Sequence, residues 1–221
     1  MTTGSTRTTP LFCGAGGAAV GYHRAGFEVV GVDISPQPSY PFESIQGDAL
    51  ELLMSAVHCQ SAVPPIKSFD VIHASPPCQL FAGTYQDHTH HPDLLTPTRA
   101  ALQAIGKPYV IENIATAPMP TGLLLCGATF GLPIIRHRRF EISPDPGLVP
   151  SLCPQQSHGR AVTHGPGFYP YARKRWRPNW ERYVLPAVWP WMTLDEAGQA
   201  IPPAYTEHIG GLLLDVLERA A

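Results

Sequence analysis

The chain has 221 residues, 44% of them hydrophobic and 14% charged, with a formal net charge of −2. That is enough for one ordinary domain with a full apolar core and excludes a disordered, charge-dominated chain. A charge so close to neutral also excludes recognition of phosphate by the overall field, so any such contact must come from a local patch.

The five cysteines (Cys13, Cys59, Cys78, Cys126 and Cys153) are odd in number and irregular in spacing. This argues against a disulfide framework and for a reducing compartment. No apolar run reaches the length of a membrane span, and the polar start, Met1 to Thr9, lacks a signal-peptide core. The expectation is a cytoplasmic protein with a short frayed leader and no membrane partner. The 25 prolines are interleaved with aromatics and point to ordered loops.

In chain order, Pro10-Leu-Phe12 reads as a short strand, followed by a glycine-rich turn and a helix from about Ala18 to Ala25. Phe27 to Val32 is a second strand ending on Asp33, and Gly47-Asp48 ends a third. Leu50 to Val57 looks helical, and Phe69 to Ala74 is a buried fourth strand. Pro97 to Ile105 is helical, with proline at its start, where a missing N–H does no harm. Pro108 to Glu112 is a fifth strand and Arg139 to Ile142 a later one. Strands alternating with helices predict an α/β fold with a mostly parallel sheet covered on both faces. From about Ser143 to Pro190 the periodicity fails and Pro, Gly, His and aromatics dominate. Pro202 to Ala221 returns as one helix, with Ile209, Leu212, Leu213, Val216 and Leu217 at helical spacing to pack on the sheet. The expected organisation is a catalytic and cofactor-binding part over 1–142, a loop-rich substrate-recognition region over 143–196, and a C-terminal helix over 197–221 that rejoins the first part.

Two stretches carry chemistry. After the first strand, Gly14, Gly16 and Gly17 let the backbone turn tightly and approach a ligand, ahead of a helix N-terminus with free N–H groups. Asp33 ends the next strand, where a carboxylate can accept both hydroxyls of a ribose, and Asp48 ends another. The spacing differs from the G-x-G-x-x-G dinucleotide fingerprint. The second stretch is Pro76-Pro77-Cys78-Gln79, just past the buried fourth strand. A thiolate there, stiffened by two prolines, suits addition to an electron-poor ring beside a nucleotide-like cofactor. Cys59 and Cys126 read instead as buried apolar cysteines. Glu112 closes an apolar strand, where desolvation raises a carboxyl pKa. Protonated, it donates to N3 of a pyrimidine; in either state it accepts from an N4 amino group. Arg136 and Arg138 precede a further strand, either beside the site or as its solvated start.

Taken in this order, Leu11-Phe-Cys-Gly-Ala-Gly-Gly17, Pro76-Pro77-Cys78-Gln79, Glu112-Asn113-Ile114 and Arg136-His137-Arg138 resemble the motifs of the DNA (cytosine-5) methyltransferase family. The resemblance covers Leu11 to about Ile142 and Gly198 to Ile209. It implies a Rossmann-like fold and S-adenosylmethionine as cofactor, with transfer of a methyl group to C5 of cytosine in DNA through a covalent Cys78 adduct at C6. By the same resemblance Phe12 packs on the adenine, Ile34 faces the purine and Asp48 accepts from its amino group. Asp33 holds the ribose, while Gly14, Gly16 and Gly17 pass near the methionine part, as does Gln199, and Pro77 is a further cofactor contact. Cys78, Glu112 and Arg138 are then catalytic, with Arg138 reaching the cytosine carbonyl and Arg136 bracing the site. Gln79 and Asn113 face the extruded nucleotide.

The chain departs from the family pattern at three positions. Pro10 stands where the family has an acidic residue, Ile134 where it has glutamine, and Gln199 where it has asparagine.

The best footprint for a nucleic-acid backbone is Tyr171 to Arg182. Arg173, Lys174, Arg175, Arg177 and Arg182 alternate there with Tyr171, Trp176 and Trp180, for phosphate neutralisation and base stacking. The bland alternative is a solvated basic loop. The family carries a large recognition domain where this chain has only about Ser143 to Glu196. Free cytosine nucleotide or single strand as substrate, an altered sulfonium cofactor, and a non-catalytic nucleic-acid-binding relative therefore stand as alternatives. The compactness suits a small genome such as a phage's, in a restriction-modification setting. His88, His90 and His91 form a plain polar loop or a lid. Cys153, His158 and His164 lack paired zinc spacing, so no metal is expected.

Overall fold

The computed structural model describes residues 5–60, 65–82, 91–119, 122–147, 163–164 and 180–220. Strands β1 (Arg7–Leu11), β2 (Glu28–Asp33), β3 (Glu43–Gln46), β4 (Val71–Ala74) and β5 (Tyr109–Ile114) are parallel to one another. β6 (Leu123–Leu125) and β8 (Arg138–Ser143) extend the same sheet, which has the order β3-β2-β1-β4-β5-β8-β6. β8 runs antiparallel to both β5 and β6. β7 (Ile134–Ile135) pairs separately with β9 (Thr163–His164).

The central strands β1, β2, β4 and β5 are largely buried on both faces, and successive residues serve opposite cores. Val71 and Val110 join Tyr22 of α1 (Gly17–Ala25) and Tyr205, Ile209 and Leu213 of the C-terminal helix Pro203–Ala220. Their neighbours Ile72 and Ile111 join Leu53 of α2 (Ala49–Val57) and Leu95 and Leu102 of α3 (Leu95–Ile105) on the other side. The helical stripe read from the sequence is thus rotated: Tyr205, Ile209 and Leu213 are buried, whereas Leu212 and Val216 are only half-buried. No described helix is long and apolar enough to cross a membrane.

Several boundaries move for local reasons. β3 stops at Gln46 because Asp48 caps α2, its Oδ1 accepting from the N–H groups of Leu50 and Glu51 at 2.8 and 3.1 Å. α3 starts at Leu95 rather than Pro97, since the Asp93 carboxylate accepts from the N–H groups of Leu95 and Thr96. β4 starts at Val71 rather than Phe69, after a helical turn at Ile66–Ser68. β5 runs on through Asn113 and Ile114 because β8 continues its ladder, pairing them with Arg139 and Arg138. Cys126 is buried as expected, but Cys59 is exposed at φ 56°, just beyond the end of α2. Short β6 and the helices α4 (Leu185–Val188) and α5 (Leu194–Gln199) have no counterpart in the sequence reading. The C-terminal helix is therefore α6.

Proline in a central strand is unusual because it gives no ladder N–H. Pro10 sits between β2 and β4, opposite His73. Next to it the Thr9 hydroxyl donates to Val30 O at 2.9 Å, supplying β2 with a donor where Pro10 has none.

Helices α1 and α6 pack closely through glycine. A Cβ on Gly21 would lie 2.0 Å from Thr206 Oγ1 and 2.2 Å from Pro203 O. One on Gly210 would lie 2.6 Å from Ala25 Cβ, whereas Gly211 on the same helix faces open space. Gly21→Ala should therefore destabilise the protein by about 2 kcal/mol or more through overpacking against backbone. Gly211→Ala should stabilise it by up to ~1 kcal/mol through helix propensity. Thermal melts of the two variants check this, and equal effects would refute the close α1–α6 contact.

Candidate active site

The strand order reverses between β1 and β4, and ligands of open parallel sheets bind beyond the carboxyl ends of the strands at such a point. The glycine turn leaves β1 there and Pro76-Pro77-Cys78 leaves β4. Between them opens a cavity of about 880 Å³, within the range of small-molecule sites.

On the β1 side the backbone is strained. Phe12, half-buried in the cavity wall, has φ 56°, a left-handed conformation that costs a non-glycine residue roughly 1–3 kcal/mol. The three glycines differ in role. Gly14, at φ 49°, has open space where a Cβ would project, and its N–H donates to Asp33 Oδ2 at 3.0 Å. Gly17 lines the cavity, but its missing Cβ makes room for Ile201 O, 2.4 Å from the ideal Cβ position. Gly16 does not line the cavity; it passes Tyr40 and Pro41, whose nearest atom would be 2.7 Å from a Cβ. Asp33 is pinned from two sides, because the Ser35 N–H also donates to its Oδ1 at 3.0 Å. Beside it Ile34 is 64% exposed and lines the cavity, an apolar side chain with nothing packed over it. Asp48 lies outside the lining, occupied in capping α2.

On the β4 and β5 side the register places Ala74 opposite Ile111, so Ser75, just past β4, and Glu112, still within β5, lie side by side. Glu112 is only 6% exposed. Burial raises its pKa; Arg138, a hydrogen bond from Ser75 and Arg136 oppose that rise. Arg138 Nε lies 3.0 Å from Glu112 Oε1, and Arg138 Nη1 donates to the His137 carbonyl. Cys78 is partly buried and lines the same cavity as Glu112, Arg136 and Arg138. Burial raises the pKa of its thiol, Arg138 pulls it down, Glu112 pushes it up and Arg136 pulls it down. The balance leaves a thiol that needs a partner to deprotonate.

Asn113 holds this loop. Its Nδ2 donates to Pro76 O at 2.9 Å, and its Oδ1 accepts from the Ile114 N–H. The side chain is buried and occupied in positioning the Pro-Pro-Cys turn. Gln79 lines the cavity with its Oε1 buried and without a hydrogen-bond partner, an acceptor facing the ligand space. Pro77 is exposed on the same rim.

The third wall comes from the C-terminal part. Arg136 is buried, donates through Nη2 to Gly198 O at 2.8 Å, and lies over the Trp189 ring. Burial and the neighbouring Arg138 lower its pKa, yet a guanidinium stays charged at neutral pH. Trp191 Nε1 donates to Ala15 O and Trp189 Nε1 to Ile201 O. These bonds clamp α5 against the glycine turn and bring exposed Gln199 into the lining. Ile134, where the family has glutamine, is fully buried with Trp189, Val188 and Met192. α5 carries a capping box, Thr193 with Glu196, whose S/T-x-x-E pattern is present in the sequence.

Arg173, Lys174, Arg175, Arg177, Tyr171 and Trp176 lie outside the described residues, as do His88, His90, Cys153 and His158.

A sheet of this order, with a glycine turn and a strand-end carboxylate at its switch point, is the Rossmann-like fold of S-adenosylmethionine-dependent methyltransferases. Residues 6–111, just under half of the chain, match the family model described as C-5 cytosine-specific DNA methylase. The match ends one residue before Glu112. The family's cofactor is S-adenosylmethionine, and the donor set fits it: open space at Gly14, the pinned Asp33 carboxylate and the uncovered Ile34.

Similar solved structures include a prophage-encoded DNA modification methyltransferase of E. coli, at 19% identity, covering 62% of this chain and 46% of that one with a TM-score of 0.46. Spodoptera frugiperda DNMT2 is 22% identical, with 62% and 49% covered and a TM-score of 0.44. Entamoeba histolytica methyltransferase EhMeth is 16% identical, with 63% and 53% covered and the same score. The chain thus spans about half the length of the structures it matches. No curated protein matches it.

The charge balance around Cys78 is directly testable by alkylation of the thiol as a function of pH. Glu112→Gln removes a negative neighbour, so the thiol pKa should fall and alkylation at pH 7 should speed up. Arg138→Leu removes a positive neighbour, so the pKa should rise and alkylation should slow. Shifts in the same direction would contradict the geometry.

Proposed function

We propose that this protein transfers a methyl group from S-adenosylmethionine to C5 of cytosine in DNA through a covalent Cys78 intermediate. What carries the reading is the meeting of the Cys78 thiol with the Glu112–Arg138 pair in one cavity with the glycine turn and Asp33.

The chemistry follows from the groups present. The Cys78 thiolate adds to C6 of the ring, forming the S–C6 bond and pushing the electron pair of the C5–C6 double bond toward C5. Glu112 meets N3 and the exocyclic amino group, which distinguishes cytosine from thymine. Arg138 carries opposite charge to the carboxylate and faces the carbonyl, where negative charge develops. S-adenosylmethionine, when bound, supplies the electrophilic methyl that C5 takes up. The C5 proton is then lost to solvent water, its electron pair restores the C5–C6 double bond, the S–C6 bond breaks, and Cys78 leaves as thiolate. Asp33, Phe12, Ile34 and Gly14 would hold the cofactor, with Gly17, Pro77 and Gln199 on its rim. Gly16 contributes through the turn and Asp48 through the capped helix beneath. Gln79 meets the nucleotide directly, whereas Asn113 and Arg136 act by holding the walls.

A base inside a duplex is out of reach, so the target must leave the stack, at roughly a few kcal/mol. Backbone contacts recover that cost, and Arg173, Lys174, Arg175 and Arg177 supply the phosphate partners in this reading.

Incubation with S-adenosylmethionine and duplex DNA, followed by nucleoside mass spectrometry, should yield 5-methylcytosine. Cys78→Ala should lower the yield at least about 10³-fold while leaving cofactor binding intact. Parallel reactions on single strand and free cytidine nucleotides decide the substrate. Product only from nucleotide would overturn the DNA assignment, and full turnover by Cys78→Ala would overturn the mechanism.

A further inference from the structure

Behind Glu112 lies a polar chain that the chemistry above does not use. We propose that Tyr22, His73 and Ser75 form a one-way hydrogen-bond relay that positions the Glu112 carboxyl and keeps it ionised at rest. The proposal rests on Glu112 being the residue that meets the base.

The geometry is continuous. Tyr22 on α1 and His73 in the middle of β4 are fully buried. The Tyr22 hydroxyl lies 2.9 Å from His73 Nδ1, and His73 Nε2 lies 2.9 Å from Ser75 Oγ. Ser75 follows Ala74, which pairs with Ile111, so it sits beside Glu112 on the cavity wall, and its hydroxyl lowers the carboxyl pKa as a donor. The Tyr22 and His73 rings meet edge to face, with centroids 5.4 Å apart, which fixes the imidazole plane.

A fully buried β-strand position is normally apolar, so an imidazole there must have both nitrogens paired. Burial drives its pKa down to about 3, so at neutral pH the ring is uncharged and has one donor and one acceptor. The chain therefore has a single polarity. Glu112, paired with Arg138, is an acceptor. Ser75 must donate to it, so the Ser75 oxygen accepts from His73 Nε2–H. His73 Nδ1 then accepts from the Tyr22 hydroxyl, a phenol whose own pKa is raised by burial and by Glu112, and which stays protonated.

The relay thus delivers one donor to the buried carboxylate without bringing a charge into the sheet. The charged and titratable groups facing Glu112 are Arg138 and Arg136 from the β7–β8 side, Cys78 from the loop, and Tyr22 from α1. Of the relay, only the serine neighbours it in the register. His73 and Tyr22 are positioning residues.

The test is NMR on the full chain. In ¹⁵N-histidine-labelled protein, His73 is identified by the resonance lost in His73→Gln. It should remain neutral between pH 5 and 8, with the proton on Nε2. In protein carrying ¹³C-labelled glutamate, the Glu112 carboxyl is identified through Glu112→Gln. Ser75→Ala removes a donor to the ionised form, so the midpoint should rise by about one pH unit. Tyr22→Phe should raise it by less, and Ser75→Thr, which keeps the hydroxyl, should restore it. A merely structural role would leave the midpoint where it is. An imidazolium, a proton on Nδ1, or a midpoint indifferent to Ser75→Ala would overturn the relay. These signals do not depend on methyl transfer. A moved midpoint without 5-methylcytosine would refute the enzymatic reading alone, and a fixed midpoint in an active enzyme would refute the relay alone.

Discussion

The ion pair between Arg138 and Glu112 is the interaction on which the site depends. A carboxylate buried at the end of a parallel strand is costly unless it is paired and hydrogen-bonded. Here the partner comes from β8, which must run antiparallel to β5 for Arg138 to arrive beside Ile114, two residues from Glu112. The antiparallel edge of an otherwise parallel sheet is therefore what makes a buried Glu112 tolerable. Losing one partner of such a pair typically costs about 3–5 kcal/mol, so site and fold are coupled here. The pair also sets the state of Cys78, because the carboxylate and burial favour the thiol while the two arginines favour the thiolate.

A second constraint closes the cavity from the other end of the chain. Arg136 reaches Gly198, Trp191 reaches Ala15, Trp189 reaches Ile201, and Gly17 lacks a side chain where the Ile201 carbonyl passes. Residues close to 180 positions apart thus build one wall. The apolar cluster beneath, with Ala15, Ile134, Val188 and Trp189, joins the glycine turn to the segment before α6. The strain at Phe12 is held by these contacts and by the Asp33–Gly14 bond.

Much of this was legible in the sequence because β2, β4 and β5 are built on apolar runs, and because the reactive groups sit at or just past their ends. Cys78, Glu112 and Arg138 could be named before any coordinates, and they share one cavity. What the linear pattern hid was long-range pairing. The antiparallel course of β8 comes from tertiary pairing, and β6 is three leucines without periodicity. Asn113 reads as a ligand contact but spends its amide on Pro76, and Asp48 spends an oxygen on the α2 cap. Gly16 and Gly17 read as ligand-approach glycines, yet their missing side chains make room for Tyr40 and Ile201. The Tyr22–His73–Ser75 chain joins α1 to β4, residues 51 apart, and no local rule pairs them. The Thr193–Glu196 capping box was a usable signal for α5.

The central claim is that the Cys78 sulfur reaches C6 of a cytosine held against Glu112. The most direct measurement is the mass of the peptide containing Cys78 after incubation with S-adenosylmethionine and DNA bearing 5-fluorocytosine, from which the C5 fluorine cannot leave as a proton would. The account predicts a stable, methylated nucleotide adduct on Cys78, absent in Cys78→Ala. A protein that methylates cytosine yet carries no adduct, or carries it on another residue, would contradict the account.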